Sequence, residues 1–216
     1  YTGKMEQTGL GATDDREKAQ LQAALVEFLA ETAKHPALRA ELVTMARAYS
    51  GYGTDDQLHT DKANPIIIGT ALAVAVDELG NEFVDYLLQQ GLSSTDAVVR
   101  GRALTAAGNT KDPAKAAEVR ELVLSPDLRN NEIWSILFPQ AFMPETRDAT
   151  WTWIQENLDG VLARMPKPSW GRISSIARTF CDSEKRAEVE SFFADRIDSH
   201  TGVPRSLAQA LEHVEM

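Results

Sequence analysis

The residues that could do chemistry in this chain are four histidines, one cysteine, a lone Gly-x-Gly and two adjacent acid pairs. A metallopeptidase helix needs two histidines one turn apart, with a glutamate between them as general base. The histidines are His35, His59, His200 and His213, and none has another within five residues. His200 and His213 enclose no cysteine and have no ligand spacing, so all four read as surface or capping residues. Cys181 stands in Thr179-Phe180-Cys181-Asp182, beside a carboxylate and with no histidine nearby. A catalytic thiolate needs a base and positive surroundings, so Cys181 reads as a small buried or half-buried hydrophobe. Gly9-Leu10-Gly11 lacks a preceding strand and a third glycine, which leaves a flexible approach rather than a phosphate cradle. The pairs Asp14/Asp15 and Asp55/Asp56 suit helix starts, where the macrodipole favours negative charge.

Aromatic and basic residues carry more promise. Trp151 and Trp153 advance about 200° at helical pitch and cannot share a face, so one packs inward and the other meets a neighbouring helix or domain. Trp170-Gly171-Arg172 follows a turn flanked by Pro166 and Pro168. Two readings stay open there: a packing aromatic with a solvated arginine, or the rim of a ligand cavity whose arginine meets a carboxylate.

The elements that must position these residues are helices. Of 216 residues, 43% are apolar and 25% charged, aromatics are sparse, and Ala, Leu and Glu recur. Asp14 with Glu17 has capping-box spacing and opens a run through Leu21, Leu25, Phe28 and Leu29. Pro36 suits a first helical position and leads Leu38, Leu42, Met45, Ala46 and Tyr49, which Gly51 and Gly53 stop. Residues 1–14 read as a flexible lead-in and residues 51–63 as a loop. Asn64-Pro65 opens a helix through Ile68, Leu72, Ala75 and Leu79 that is apolar nearly all round, hence central and buried. Phe83–Gln90 ends at Gly91, and Asp96 to Gly108 and Asp112-Pro113 to Val123 follow. Then come Ile133–Phe138, a helix from Pro144 through Leu158 to Gly160, and Ile173–Phe180, Ala187–Ile197 and Leu207–Val214.

The pattern predicts an all-α chain of about eleven antiparallel helices, with no period-two strand signal. Pairs recurring roughly every 30–35 residues suggest a HEAT/armadillo-like superhelical array.

The formal charge of −10 disfavours nucleic acid and anionic membrane surfaces. The apolar stretch Pro65 to Val76 is far short of the roughly 20 residues of a membrane helix. A lone cysteine forms no internal disulfide and points to a reducing, cytoplasmic setting, with the periplasm left open. The chain opens at Tyr1 and closes at Glu215-Met216 within a helical pattern, which reads as a fragment of a longer chain.

Trp151 to Met216 resembles the closing segment of the aminopeptidase N-like gluzincin family, which includes the endoplasmic-reticulum and puromycin-sensitive aminopeptidases. The residues that carry the likeness are a tryptophan helix ending at Asn157, the Phe180-Cys181 step, the Glu188-to-Phe193 helix and Ala210-Leu211-Glu212. Ser94 to Gly108 and Asp112 to Asn131 resemble the family's upstream helical repeats.

The resemblance implies a single C-terminal helical domain, 1–216, with no catalytic residue, metal or cofactor of its own. It implies that zinc and the catalytic machinery belong to a preceding domain of the parent, which removes N-terminal residues from peptides. The helical domain would cap that chamber, with the parent's catalytic domain and peptide substrates as its partners. Lys167, Trp170, Arg172 and Arg178 are the candidate peptide contacts. A free-standing helical-repeat scaffold for protein partners is the alternative.

Overall fold

The computed structural model describes residues 1–194, 196 and 203–214, with the backbone alone at 213 and 214. Every regular element among the described residues is helical, so the all-α expectation holds. The chain forms two compact units, Tyr1–Thr110 and Lys111–Met216.

Unit 1 contains α1 (Thr2–Thr8), α2 (Arg16–Glu27) continuing into a π-helical turn (Phe28–Thr32), α3 (Pro36–Ser50), α4 (Ile68–Leu79), α5 (Asn81–Ser93) and α6 (Ala97–Gly108). The apolar α4 is its centre and packs on α3 and α6. Ile68, Ala71, Leu72, Val74 and Ala75 are fully buried, as an all-round apolar helix must be.

Residues 2–8 of the expected lead-in form α1, which buries Met5. Beyond it, buried Gln22 Nε2 donates to Gly9 O at 2.7 Å and Gly11 O at 3.0 Å, while Asn64 Nδ2 donates to Gln22 Oε1 at 2.7 Å. The capping residue of α2 is Asp15 rather than Asp14, its carboxylate accepting from Glu17 N and Lys18 N. Asn64-Pro65 forms a turn ahead of α4, with Asn64 O accepting from Ile68 N at 3.1 Å. Gly91 does not end α5: a Cβ there would stand 3.0 Å from Ala103 Cβ, so its bareness lets α6 approach.

One pinning pattern occurs twice. His35 caps α3 and Asp96 caps α6, and the arginine four positions after each reaches back nine residues to a carbonyl of the preceding helix. Arg39 Nη1 donates to Ala30 O at 2.8 Å, and Arg100 Nη1 donates to Gly91 O at 3.2 Å. Both arginines are buried and donate to carbonyls in the closing turn of the preceding helix.

Unit 2 contains α7 (Pro113–Glu121), a 3-10 turn (Asn130–Glu132), α8 (Ile133–Phe142), α9 (Arg147–Arg164), a 3-10 helix (Lys167–Thr179), α10 (Ser183–Ala194) and α11 (Val203–Val214). The described residues contain eleven α-helices, although α1 was not foreseen and Ile173–Phe180 falls largely within the 3-10 helix. The helix from Pro144 begins at Arg147 and passes Asn157 and Gly160, where a Cβ would stand 3.0 Å from Leu124 Cδ2. Of the expected Ala187–Ile197 helix, Ile197 lies outside the described residues, as do Glu215 and Met216.

Both tryptophans of α9 are buried on opposed flanks. Trp151 meets Phe180 and Phe192 edge-on and donates to Glu188 Oε1 at 2.7 Å. Trp153 donates to Glu121 Oε1 of α7 at 2.6 Å. The inward tryptophan and the one meeting a neighbouring helix are both core residues of this unit.

Candidate functional site

The basic residues between 167 and 178 lie on the 3-10 helix of unit 2. Three residues per turn make every third side chain eclipse. Arg172 and Arg178 are therefore aligned, both exposed, on the row that also carries Ser169 and Ser175. At about 2 Å rise per residue they stand roughly 12 Å apart along the axis. In an α-helix they would be about 120° apart around it. Ile173 and Ile176 form a buried row against the unit's core. Hydroxyls support the tight pitch: Ser174, Ser175 and Thr179 each donate to the carbonyl three residues back, at 2.8, 2.6 and 2.8 Å.

Arg172 lines a cleft of about 640 Å³, together with Asn130, Asn131, Trp134, Arg164 and Ser169. Its guanidinium carbon sits 4.9 Å from the Trp134 ring centre and 5.1 Å from that of Phe138. These rings stack 4.8 Å apart, one helical turn apart on α8. Such a platform orients a guanidinium by cation–π attraction while leaving its N–H fork open. The Arg172 guanidinium makes no hydrogen bond or ion pair with any described residue. Arg164 is the opposite case: its guanidinium donates to the carbonyls of Val123 (2.6 Å), Ser125 and Leu128, and so braces the 123–130 loop. The Asn130–Glu132 turn is closed by Glu132 Oε2, which accepts from Arg129 N at 2.9 Å. The cleft lining carries two guanidinium groups and two amides but no acid, so it suits an anion.

Trp170 is half-buried and donates from Nε1 to Leu162 O at 3.0 Å and Met165 O at 3.2 Å, tying the turn to the end of α9. Lys167 Nζ lies 5.9 Å from the Trp170 ring centre. The structure thus gathers Arg172 and the α8 aromatics, sets Lys167 and Trp170 against each other, and puts Arg178 two turns away. Trp134, Phe138 and Arg164 were missed from sequence. The spacing Trp134, Phe138, Phe142, one turn apiece, was the available signal.

Elsewhere in unit 2, Arg120 holds α7, α8 and α9 together. It is 4% exposed, and its Nη1 donates to Gln140 Oε1 at 2.7 Å and Thr150 Oγ1 at 2.9 Å. Gln140 Nε2 returns to Ala116 O at 2.9 Å. Burial pushes the Arg120 guanidinium below its ordinary pKa, with Glu121 opposing the shift.

The other expected chemistry resolves into structure. His35 Nδ1 accepts from Leu38 N at 3.3 Å as a helix cap, and His59 Nε2 lies 2.9 Å from Asp55 Oδ2. His200 and the His213 side chain lie outside the described residues. Cys181 is exposed rather than buried, because Phe180 takes the inward position beside it. No three His, Cys, Asp or Glu side chains among the described residues could hold a metal ion together, so these residues do not fit a resident zinc. No helix among them is long and apolar enough to cross a membrane.

The described residues thus form an all-helical chain with an anion-suited cleft in unit 2. Residues 1–216 match the ERAP1-like C-terminal domain, and the chain belongs to that family. Aminopeptidase M1-C of Oryza sativa subsp. japonica is 30% identical over 132 residues, covering 60% of this chain and 15% of the relative. Aminopeptidase M1-B of the same organism is 29% identical over 134 residues, covering 61% and 15%. Aminopeptidase M1 of Arabidopsis thaliana is 27% identical over 203 residues, covering 83% of this chain and 22% of the relative. The chain therefore spans less than a quarter of the length of these relatives.

Proposed function

We propose that this chain is the non-catalytic C-terminal domain of a zinc aminopeptidase, capping the active-site chamber and helping to position peptides whose N-terminal residues the parent removes. The match of the whole chain to an aminopeptidase C-terminal domain family carries the reading and favours it over a free-standing scaffold. Catalytic zinc and the parent's catalytic domain then lie outside these residues, in a cytoplasmic enzyme. Within this reading Arg172 is the contact for a peptide carboxylate, with Arg178 on the same row and Lys167 and Trp170 at the adjoining turn. The support is the unpaired guanidinium on its aromatic platform.

The test is Arg172→Ala in the full-length enzyme. KM for peptides of eight to ten residues should rise about threefold to tenfold, the loss of one charge-assisted contact partly screened by water. Turnover of an amino-acid anilide, which has no peptide carboxylate for Arg172 to meet, should be unchanged. An unchanged KM and length preference would remove Arg172 from substrate binding.

A further inference from the structure

Unit 1 holds a cavity of about 360 Å³ between α1, the π-helical turn and the start of α3. Its floor is hydrocarbon: Met5, Leu29 and Leu38 are all buried. Glu6 and Glu41 also line it, and both are exposed. Neither carboxylate makes an ion pair or hydrogen bond with any described residue. His35 contributes to the wall, and its Nδ1 accepts from Leu38 N at 3.3 Å.

The cations on the flanking helices do not fill this gap. Arg39 of α3 is committed to Ala30 O, Asp77 and Glu78, and Lys4 of α1 does not line the cavity. An apolar floor under a rim of two unanswered negative charges selects one ligand chemistry. A neutral hydrocarbon gains the floor and leaves the rim unused, whereas an anion is repelled. The volume is at the small end of ligand pockets.

We propose that this cavity binds a compact hydrophobic amine, with its hydrocarbon body on Met5, Leu29 and Leu38 and its ammonium at the Glu6 and Glu41 rim. The site lies in unit 1 and is independent of the peptide reading of the Arg172 cleft.

The experiment titrates the isotope-labelled 216-residue chain with isopentylamine, isopentanol and isovalerate, which share one hydrocarbon body, and follows backbone amide shifts. Isopentylamine should give saturable shifts confined to α1, the π-helical turn and the first turns of α3. The alcohol should bind several-fold more weakly and isovalerate not at all. The double variant Glu6→Gln/Glu41→Gln, both exposed and neither a cap, should weaken the amine about fivefold, as expected for two solvent-screened charge pairs. Added salt should weaken the wild type but not the variant. Equal response to all three probes, shifts elsewhere, no saturable shift, or an unweakened double variant each overturns the proposal.

Discussion

Arg39→Met removes a buried fork whose three acceptors differ in how well water can replace it. Arg39 Nη1 reaches Ala30 O at 2.8 Å, Nη2 reaches Asp77 Oδ2 at 2.6 Å, and Nε reaches Glu78 Oε1 at 2.6 Å. Burial opposes the Arg39 charge, yet its hydrogen bonds to the Glu78 and Asp77 carboxylates outweigh it and raise the pKa above its ordinary value. Ala30 is fully buried, so its carbonyl would lose its side-chain donor out of reach of water, at about 1–3 kcal/mol. The Asp77 side chain is 25% exposed and keeps Lys34 at 3.8 Å, so its loss is about 1 kcal/mol. The Glu78 side chain is 46% exposed and resolvates, contributing a few tenths at most. Methionine recovers part of this by filling the space with apolar volume, leaving about 2–3 kcal/mol of destabilisation.

Urea unfolding followed by helical circular dichroism reads this directly. With a slope of about 2 kcal/mol per molar, the midpoint should fall by roughly 1 M. Tyrosine emission reports the same unit, because Tyr1, Tyr49, Tyr52 and Tyr86 all lie in unit 1 and all four tryptophans lie in unit 2. Arg39→Lys keeps the charge but lacks the fork, so it should recover less than half of the loss. A midpoint shift below about 0.25 M for Arg39→Met would refute the pinning role.

Two further outcomes follow from local geometry. Glu188 is held below its ordinary carboxylate pKa of 4.5 by the hydrogen bond from Lys185, against a desolvation penalty and with help from Trp151. A depressed folded value means that this carboxylate's stabilisation is complete above its unfolded pKa and is lost as pH falls through the folded one. The wild type should therefore lose an increment of stability below about pH 4.5 that Glu188→Gln lacks, measured by thermal melts from pH 6 to pH 3. The glycines of the α5–α6 pair should respond with opposite signs in denaturant midpoint. Gly101→Ala meets nothing within 4 Å and should stabilise α6 by up to about 1 kcal/mol. Gly91→Val presses on Ala103 and should cost about 1–3 kcal/mol.

Local signals were legible wherever the partner lies within a turn. Asp96, Asp112 and His35 cap helices because a side chain reaches amides two or three positions ahead, an interaction the order of residues already contains. The all-round apolarity of α4 likewise announced a central helix, and the order of motifs from Trp151 onward announced the family. The tertiary structure decided the rest. Gly91 and Gly160 look like stops, but a glycine's role there is set by Ala103 and Leu124, which only packing brings near. Arg39 and Arg100 acquire their role only when carbonyls nine residues back close on them. The Arg172 platform joins residues 38 apart in the chain, Trp134 and Arg172. The alignment of Arg172 with Arg178 depends on the 3-10 pitch of 167–179, for which the three-residue spacing of Trp170, Ile173 and Ile176 was the signal in the sequence. Side-chain type is a property of the sequence, but the burial that prices a charge and the pitch that aligns two of them belong to the folded chain.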